Sequence, residues 1–162
     1  MAVLAMDQHD KWGQYGLWLH VGIEPFSGYV AWLKIWRTNH NPRLIAKYYL
    51  DAVRFLGGIF VFTRRENGAL TSNLMIGIPL ITQSDRGTEN NSVANIQTLI
   101  RQRLEPRLEG TLQHRWVMAS THNVKPEAFW SYLRHHFTPG FENVLQLTVN
   151  SGHYDDNSPL DR

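Results

Sequence analysis

The order of apolar runs along the chain constrains its fold more than any other feature. Three short runs rich in β-branched and aromatic residues come first, and turn-forming residues separate them: Val3–Met6, Leu17–Ile23 and Tyr29–Ile35. Such runs predict three strands joined as a meander. Helical periodicity and short apolar runs then alternate, which favours helical crossovers between further strands over an all-β fold.

The first helix is predicted from its start signals. Asn41 can cap it, Pro42 suits its first position, and apolar residues recur at helical spacing as far as Leu56, before Gly57-Gly58. Later segments predict a strand, a helix, a strand and a helix: Ile78–Thr82, Val93–Leu104, Trp116–Ala119 and Pro126–Phe137. The order βββ-α-β-α-β-α predicts an α/β fold, with a mixed five-stranded sheet and helices on both faces.

Composition excludes several classes of protein. The chain has no cysteine, which excludes disulfide scaffolds and thiolate zinc sites and leaves His, Asp and Glu as metal ligands. No stretch approaches the roughly 18 apolar residues that span a bilayer, so we expect no membrane partner. A net charge of +2 permits an anionic partner without requiring one.

Three acidic residues stand where the predicted fold can bring them together. Asp7 lies at the end of the first strand, Asp85 follows the fourth, and Glu127 lies in the first turn of the last helix. If the first and fourth strands are neighbours, the two aspartates project side by side where the strand order reverses. Carboxylate oxygens select Mg²⁺ or Mn²⁺, and two such ions can promote phosphoryl transfer.

Each acid also has an ordinary structural interpretation. A glutamate in a first turn, such as Glu127, complements the helix dipole, and an aspartate followed by Arg86-Gly87 is typical of a turn. Asp10 lies three residues after Asp7, and spacing alone does not choose between them.

Five blocks of sequence carry a resemblance to a known family: Met6–Lys11, Thr38–Pro42, Ser84–Asn90, Ser120–Asn123 and Glu127–Arg134. They resemble the integrase catalytic core of the RNase H-like transposase and integrase superfamily, specifically the integrase-core proteins of fungal and animal genomes. The resemblance covers most of residues 5–137 and implies an RNase H-like fold. Residue by residue, it places the acids of the family on Asp7, Asp85 and Glu127.

The resemblance implies an enzyme, a metal-dependent polynucleotidyl transferase core that cleaves and joins DNA strands. Asp7, Asp85 and Glu127 would be its catalytic residues and would bind two Mg²⁺ or Mn²⁺ ions. It also implies DNA as a partner and a nuclear or intracellular location, and it allows a homo-oligomer. The alternative is a domesticated or decayed module of the same fold that binds nucleic acid or a protein partner without catalysis.

Basic residues near the acids predict contacts with phosphate, because lysine and arginine supply the salt-dependent part of nucleic-acid affinity. The residues expected to bind DNA are Lys125, Arg134 and Arg86. A second basic group consists of Arg101, Arg103 and Arg107. An ordinary solvated helix face is the alternative interpretation of both groups.

Residues 59–77 depart from the resemblance, which would run from Gly58 directly into Ile78. The flanks Gly58-Ile59 and Gly77-Ile78 repeat one another, so we hypothesise an insertion or a retained intron, which sequencing of mature transcripts tests. The alternative is a surface hairpin that turns at Glu66-Asn67-Gly68. The remaining organisation is a catalytic core over 1–149 and a polar, turn-rich tail over 150–162.

Overall fold

The structure is a computed structural model that describes residues 1–57, 61–66, 69–74, 77–117, 123–155 and 158. Its strands, in chain order, are β1 (Val3–His9), β2 (Trp18–Ile23), β3 (Val30–Trp36), β4 (Val61–Glu66), β5 (Ala69–Leu74), β6 (Ile81–Ser84) and β7 (His114–Trp116). Its helices are α1 (Pro42–Phe55), α2 (Asn91–Leu104), α3 (Val124–His136) and α4 (Thr138–Asn150).

The main sheet confirms the predicted mixed, five-stranded arrangement. Its strand order is β3-β2-β1-β6-β7, with β1, β2 and β3 antiparallel and with β6 and β7 parallel. Strand β1 therefore lies at the centre, between an antiparallel and a parallel neighbour. Strands β4 and β5 form a separate antiparallel pair, as the hairpin alternative for 59–77 predicts. The other residues of that segment, apart from Gly77, lie outside the described residues.

Helices cover both faces of the sheet, as predicted. Helices α1 and α2 pack on an apolar cluster that includes Leu4, Met6 and Trp32. Helices α3 and α4 pack on the opposite face, in a cluster that includes Leu19, Val21, Ile23 and Trp130. Because side chains alternate along a strand, Leu4 and Met6 face α1 whereas Asp7 and His9 face α3.

Several predicted boundaries shift. Strand β1 continues to His9 because its pairing with β2 extends as far as His9 opposite Leu19, so Asp7 lies within the strand. Strand β6 starts at Ile81, three residues after the predicted Ile78, and β7 starts at His114, two residues before Trp116. Residues 118–122 lie outside the described residues.

The helix starts show which sequence signals were sufficient. Asn41 caps α1 as predicted, since its side chain accepts a hydrogen bond of 3.0 Å from the backbone N–H of Arg43. Helix α3 starts at Val124, so Pro126 lies inside its first turn, where a missing N–H breaks no helical hydrogen bond. Helix α4 is absent from the predicted order, because Thr138-Pro139-Gly140 is typical of a turn although proline also suits a helix start.

The polar tail is partly described. A Cβ atom added to Gly16 would lie 2.4 Å from the Tyr154 hydroxyl, so Tyr154 packs closely against that glycine. In the part of the chain that the structure describes, no helix is both long and apolar enough to cross a membrane.

Candidate functional site

The parallel pairing of β1 with β6 places Asp7 beside Asp85. The register pairs Val3 with Ile81, Leu4 with Thr82 and Ala5 with Gln83. Asp7 lies two residues further along β1 and Asp85 directly follows β6, so both acids come after the segment in which these two strands pair, where the strand order reverses. The sheet thus brings two of the predicted acids together.

Helix α3, which carries the third predicted acid, contacts β1. Trp130 donates a hydrogen bond of 3.0 Å from its indole nitrogen Nε1 to Asp7 Oδ2. Glu127 lies three residues before Trp130 on α3, so both side chains share the helix face that is turned toward Asp7. The contact between Trp130 and Asp7 could not be predicted from spacing, because it joins residues 123 positions apart.

The side chain of Asn123 holds the start of α3 against the neighbouring strands β1 and β6. Its side chain is buried, and its Nδ2 donates to the Met6 carbonyl oxygen at 2.8 Å. Its Oδ1 accepts a hydrogen bond of 3.3 Å from Gln83 Nε2. One side chain therefore ties the first turn of α3 to both β1 and β6.

The electrostatics of Asp7 link it to each of the other two acids. The pKa of Asp7 is raised to about 6, mainly by burial and to a lesser extent by repulsion from the carboxylates of Asp85 and Glu127, whereas the Trp130 hydrogen bond acts in the opposite direction. Among the described residues, no three His, Asp or Glu side chains lie close enough to hold a metal ion. The acids are thus within electrostatic range of one another without forming a ligand shell.

The rival acid Asp10 has a different environment. It lies beyond the end of β1, is exposed, and its Oδ1 accepts a hydrogen bond of 2.6 Å from Asn39 Nδ2. Asp7, rather than Asp10, is therefore the acid that faces α3 and Asp85.

A fourth acid, Glu89, lies buried beside this group, with a relative exposure of 4%. Gln8 Nε2 donates to Glu89 Oε1, and Asn90 Nδ2 donates both to that oxygen at 3.3 Å and to Asp85 Oδ1 at 3.0 Å. A Cβ atom on Gly87 would lie 1.7 Å from Glu89 Oε1. Sequence reasoning missed Glu89 because an acid near a helix start is usually a solvated dipole partner, and burial is set by the tertiary fold.

A neutral histidine supports the strand that ends at Asp85. His114 Nδ1 lies 2.8 Å from Thr82 Oγ1, and its Nε2 lies 3.2 Å from Ser84 Oγ. Burial lowers the pKa of His114 to about 4, so the ring is uncharged at neutral pH. Since Ser84 Oγ donates to the Asp85 carbonyl oxygen at 2.8 Å, this network joins β7 to the backbone of Asp85.

The residues expected to contact DNA are all exposed: Lys125, Arg134 and Arg86. The second basic group does not present a common surface, and the prediction for Arg101 is wrong. Arg101 is only 9% exposed and lies 3.3 Å from Glu105, which also pairs with Arg107 at 2.9 Å. The packing of α2 against α1 buries Arg101 where a helix-surface interpretation left it solvated.

Comparison with known proteins supplies no relative. No protein-family model, no curated protein and no solved structure matches the chain. The arrangement of Asp7, Asp85 and Glu127 is therefore the basis for assigning a function.

Proposed function

We propose that the chain is the RNase H-like catalytic core of an integrase, a metal-dependent polynucleotidyl transferase that cleaves and joins DNA strands. The observation that carries the proposal is the position of Asp7 on β1, next to the parallel strand β6 that ends just before Asp85, where Trp130 of α3 donates a hydrogen bond to the Asp7 carboxylate. The five-stranded sheet supports it, because β1 and β6 bring two of the acids to one edge and α3 supplies the third.

Asp7, Asp85 and Glu127 would hold two Mg²⁺ or Mn²⁺ ions. The donor set suits these hard cations, because Mg²⁺ and Mn²⁺ prefer carboxylate oxygens as ligands. Because these side chains do not already form a ligand shell, ion binding would have to draw them closer. Bound ions would activate the attacking hydroxyl group and stabilise charge on the phosphodiester.

Other residues of the site would position the acids and the DNA. Trp130 holds the Asp7 carboxylate by its hydrogen bond, and Asn123 fixes the helix that carries Glu127. The exposed cations expected to contact DNA phosphates are Lys125, Arg134 and Arg86. The nuclear or intracellular location that the resemblance implies belongs to the same proposal.

The proposal is tested by cleavage and joining of a labelled DNA duplex in Mn²⁺. We expect Asp85→Asn to abolish activity while the variant still melts cooperatively. Asp10→Asn is the matched control and should keep activity, since Asp10 contacts Asn39 instead of the acidic group. Full activity in Asp85→Asn would contradict the proposal.

A second candidate function is a binding module without catalysis. It is favoured by one observation, that no three metal-ligating side chains come together among the described residues. Filter binding of DNA across a salt series, with and without a chelator, distinguishes the two functions. Binding that is independent of metal, together with no cleavage by the unmodified chain, would favour the module.

A further inference from the structure

A cavity of about 340 Å³ opens where the end of β1 meets α3 and the start of α4. It is lined by His9, Lys11, Arg134, Thr138, Pro139 and Glu142. Of these residues, only Arg134 was expected to contact nucleic acid. We call this space the β1–α4 cavity.

One aromatic ring separates the β1–α4 cavity from Asp7. The His9 ring stacks on the Trp130 ring, with centroids 4.9 Å apart and an interplanar angle of 17°. Trp130 in turn donates its indole hydrogen bond to Asp7. Arg134 lies four residues after Trp130, on the same face of α3. The cavity is therefore an immediate neighbour of the acidic group.

The lining of the cavity suits an anion. Lys11 and Arg134 are two cations in its lining, against the one carboxylate of Glu142. Glu142 Oε1 accepts a hydrogen bond of 2.9 Å from Trp12 Nε1.

The start of α4 adds a second feature to this lining. Thr138, only 7% exposed, is the first residue of that helix and lines the cavity. The N-terminus of a helix favours negative charge. A group with several acceptor oxygens and negative charge therefore matches the cavity better than a neutral ligand does.

We infer that the β1–α4 cavity binds a backbone phosphate of a nucleic-acid strand, adjacent along that strand to the phosphodiester at the acids. Lys11 and Arg134 supply the charge, and Thr138 supplies a hydrogen-bond donor. The choice of nucleic acid rests on the proposed function, because the cavity alone specifies only a phosphate-like anion. The new assignment is Lys11, which lies outside the three residues expected to bind DNA.

The test is the binding of a fluorescein-labelled single-stranded oligonucleotide to the full chain, by anisotropy across a salt series with EDTA present. Lys11→Gln should weaken binding about fivefold near 0.1 M salt and reduce the salt slope by roughly 0.7, which is the value for one phosphate contact on a single strand. Lys34→Gln is the matched control, since this exposed lysine lies on β3 at the far edge of the sheet and should leave both quantities unchanged.

Two results would overturn the inference. The first is an affinity and a salt slope in Lys11→Gln equal to those of the unmodified chain. The second is inorganic phosphate that competes as well as unlabelled oligonucleotide does at the same phosphate concentration, with competition that requires Lys11. That result would make the cavity a site for a free anion.

The binding assay tests the cavity separately from the proposed function, because EDTA removes any metal-dependent chemistry from it. Cleavage of DNA in Mn²⁺, together with oligonucleotide binding that Lys11→Gln leaves unchanged, would refute the inference about the cavity and would still support the proposed enzyme. If binding depends on Lys11 but the unmodified chain does not cleave DNA, the proposed catalytic function is refuted and the cavity remains a phosphate-binding site.

Discussion

The two faces of the main sheet are built from the same strands but hold very different side chains. On the α1/α2 face, a buried chain of hydrogen bonds joins the two helices inside an apolar cluster. Tyr49 donates its hydroxyl hydrogen bond to Gln97 Oε1, and Gln97 Nε2 donates to the Pro79 carbonyl oxygen at 2.8 Å. On the α3/α4 face, the buried Asp7 carboxyl lies in the field of Asp85 and Glu127.

This difference separates the residues that stabilise the fold from those proposed to carry out chemistry. Burial of apolar surface with paired polar groups stabilises a fold, whereas burial of a carboxylate near like charges destabilises it. A fold retains such a group at a functional site because the rest of the structure can offset it. We therefore expect truncation of an apolar side chain to lower stability, most on the α1/α2 face, and removal of the Asp7 charge to raise it.

The largest expected effect is on the α1/α2 face. Ile45, on α1, is completely buried, and Ile45→Ala should lower the free energy of unfolding by about 3 kcal/mol through lost burial and a cavity. Leu133, on α3, has a side chain of equal size but is only half-buried, so Leu133→Ala should lower it by about half as much. Urea unfolding measures both. An equal loss in the two variants would contradict the contrast between the faces.

The next effect has the opposite sign. Asp7→Asn should raise the free energy of unfolding by about 2 kcal/mol at pH 7.5, because it removes the buried charge and leaves an acceptor for Trp130. The folded pKa of Asp7 is about 6 and its ordinary value is 3.8, so the folded state takes up a proton between these values. Stability of the unmodified chain therefore gains from this group as the pH falls, and the advantage of the variant should shrink toward pH 4.

Urea unfolding of both proteins from pH 7.5 to pH 4 measures this trend. Comparing the two at each pH cancels the buried histidines, which act in the opposite direction. Burial lowers the pKa of His20 to about 3 and that of His114 to about 4, so their contribution to stability is lost as the pH falls below 6.5. An advantage that stayed constant with pH would show that Asp7 does not titrate as described.

The smallest effects come from a matched pair of glycines. Gly87→Ala would bring a methyl group to 1.7 Å from Glu89 Oε1, at a backbone φ of −65° that suits any residue, so the clash alone should lower stability by about 1 kcal/mol or more. Gly140→Ala, with nothing within 4 Å on α4, should raise it by up to about 1 kcal/mol. Thermal melts check both signs, and a neutral Gly87→Ala would mean that Glu89 is free to move.

The sequence was sufficient where local chemistry decides the structure. The alternation of apolar runs predicted a mixed sheet of five strands, and Asn41-Pro42 predicted the start of α1. Helix α4 was missed because its first residues suit a turn as well as a helix.

Contacts between distant segments could not be predicted in this way. The hydrogen bond from Trp130 to Asp7 joins residues 123 positions apart, and that from Gln8 to Glu89 joins residues 81 apart. Burial of Arg101 likewise depends on how α2 packs on α1. The candidate acids were found from sequence, whereas the groups that position them required the tertiary structure.

The central claim is that Asp7 and Asp85 belong to one cation site. Isothermal titration calorimetry of Mn²⁺ with the unmodified chain, Asp7→Asn and Asp85→Asn tests it most directly, with Asp10→Asn as the control. We predict binding to the unmodified chain and to Asp10→Asn, and its loss in both of the other variants. No binding to the unmodified chain, or binding that survives both substitutions, would contradict the claim.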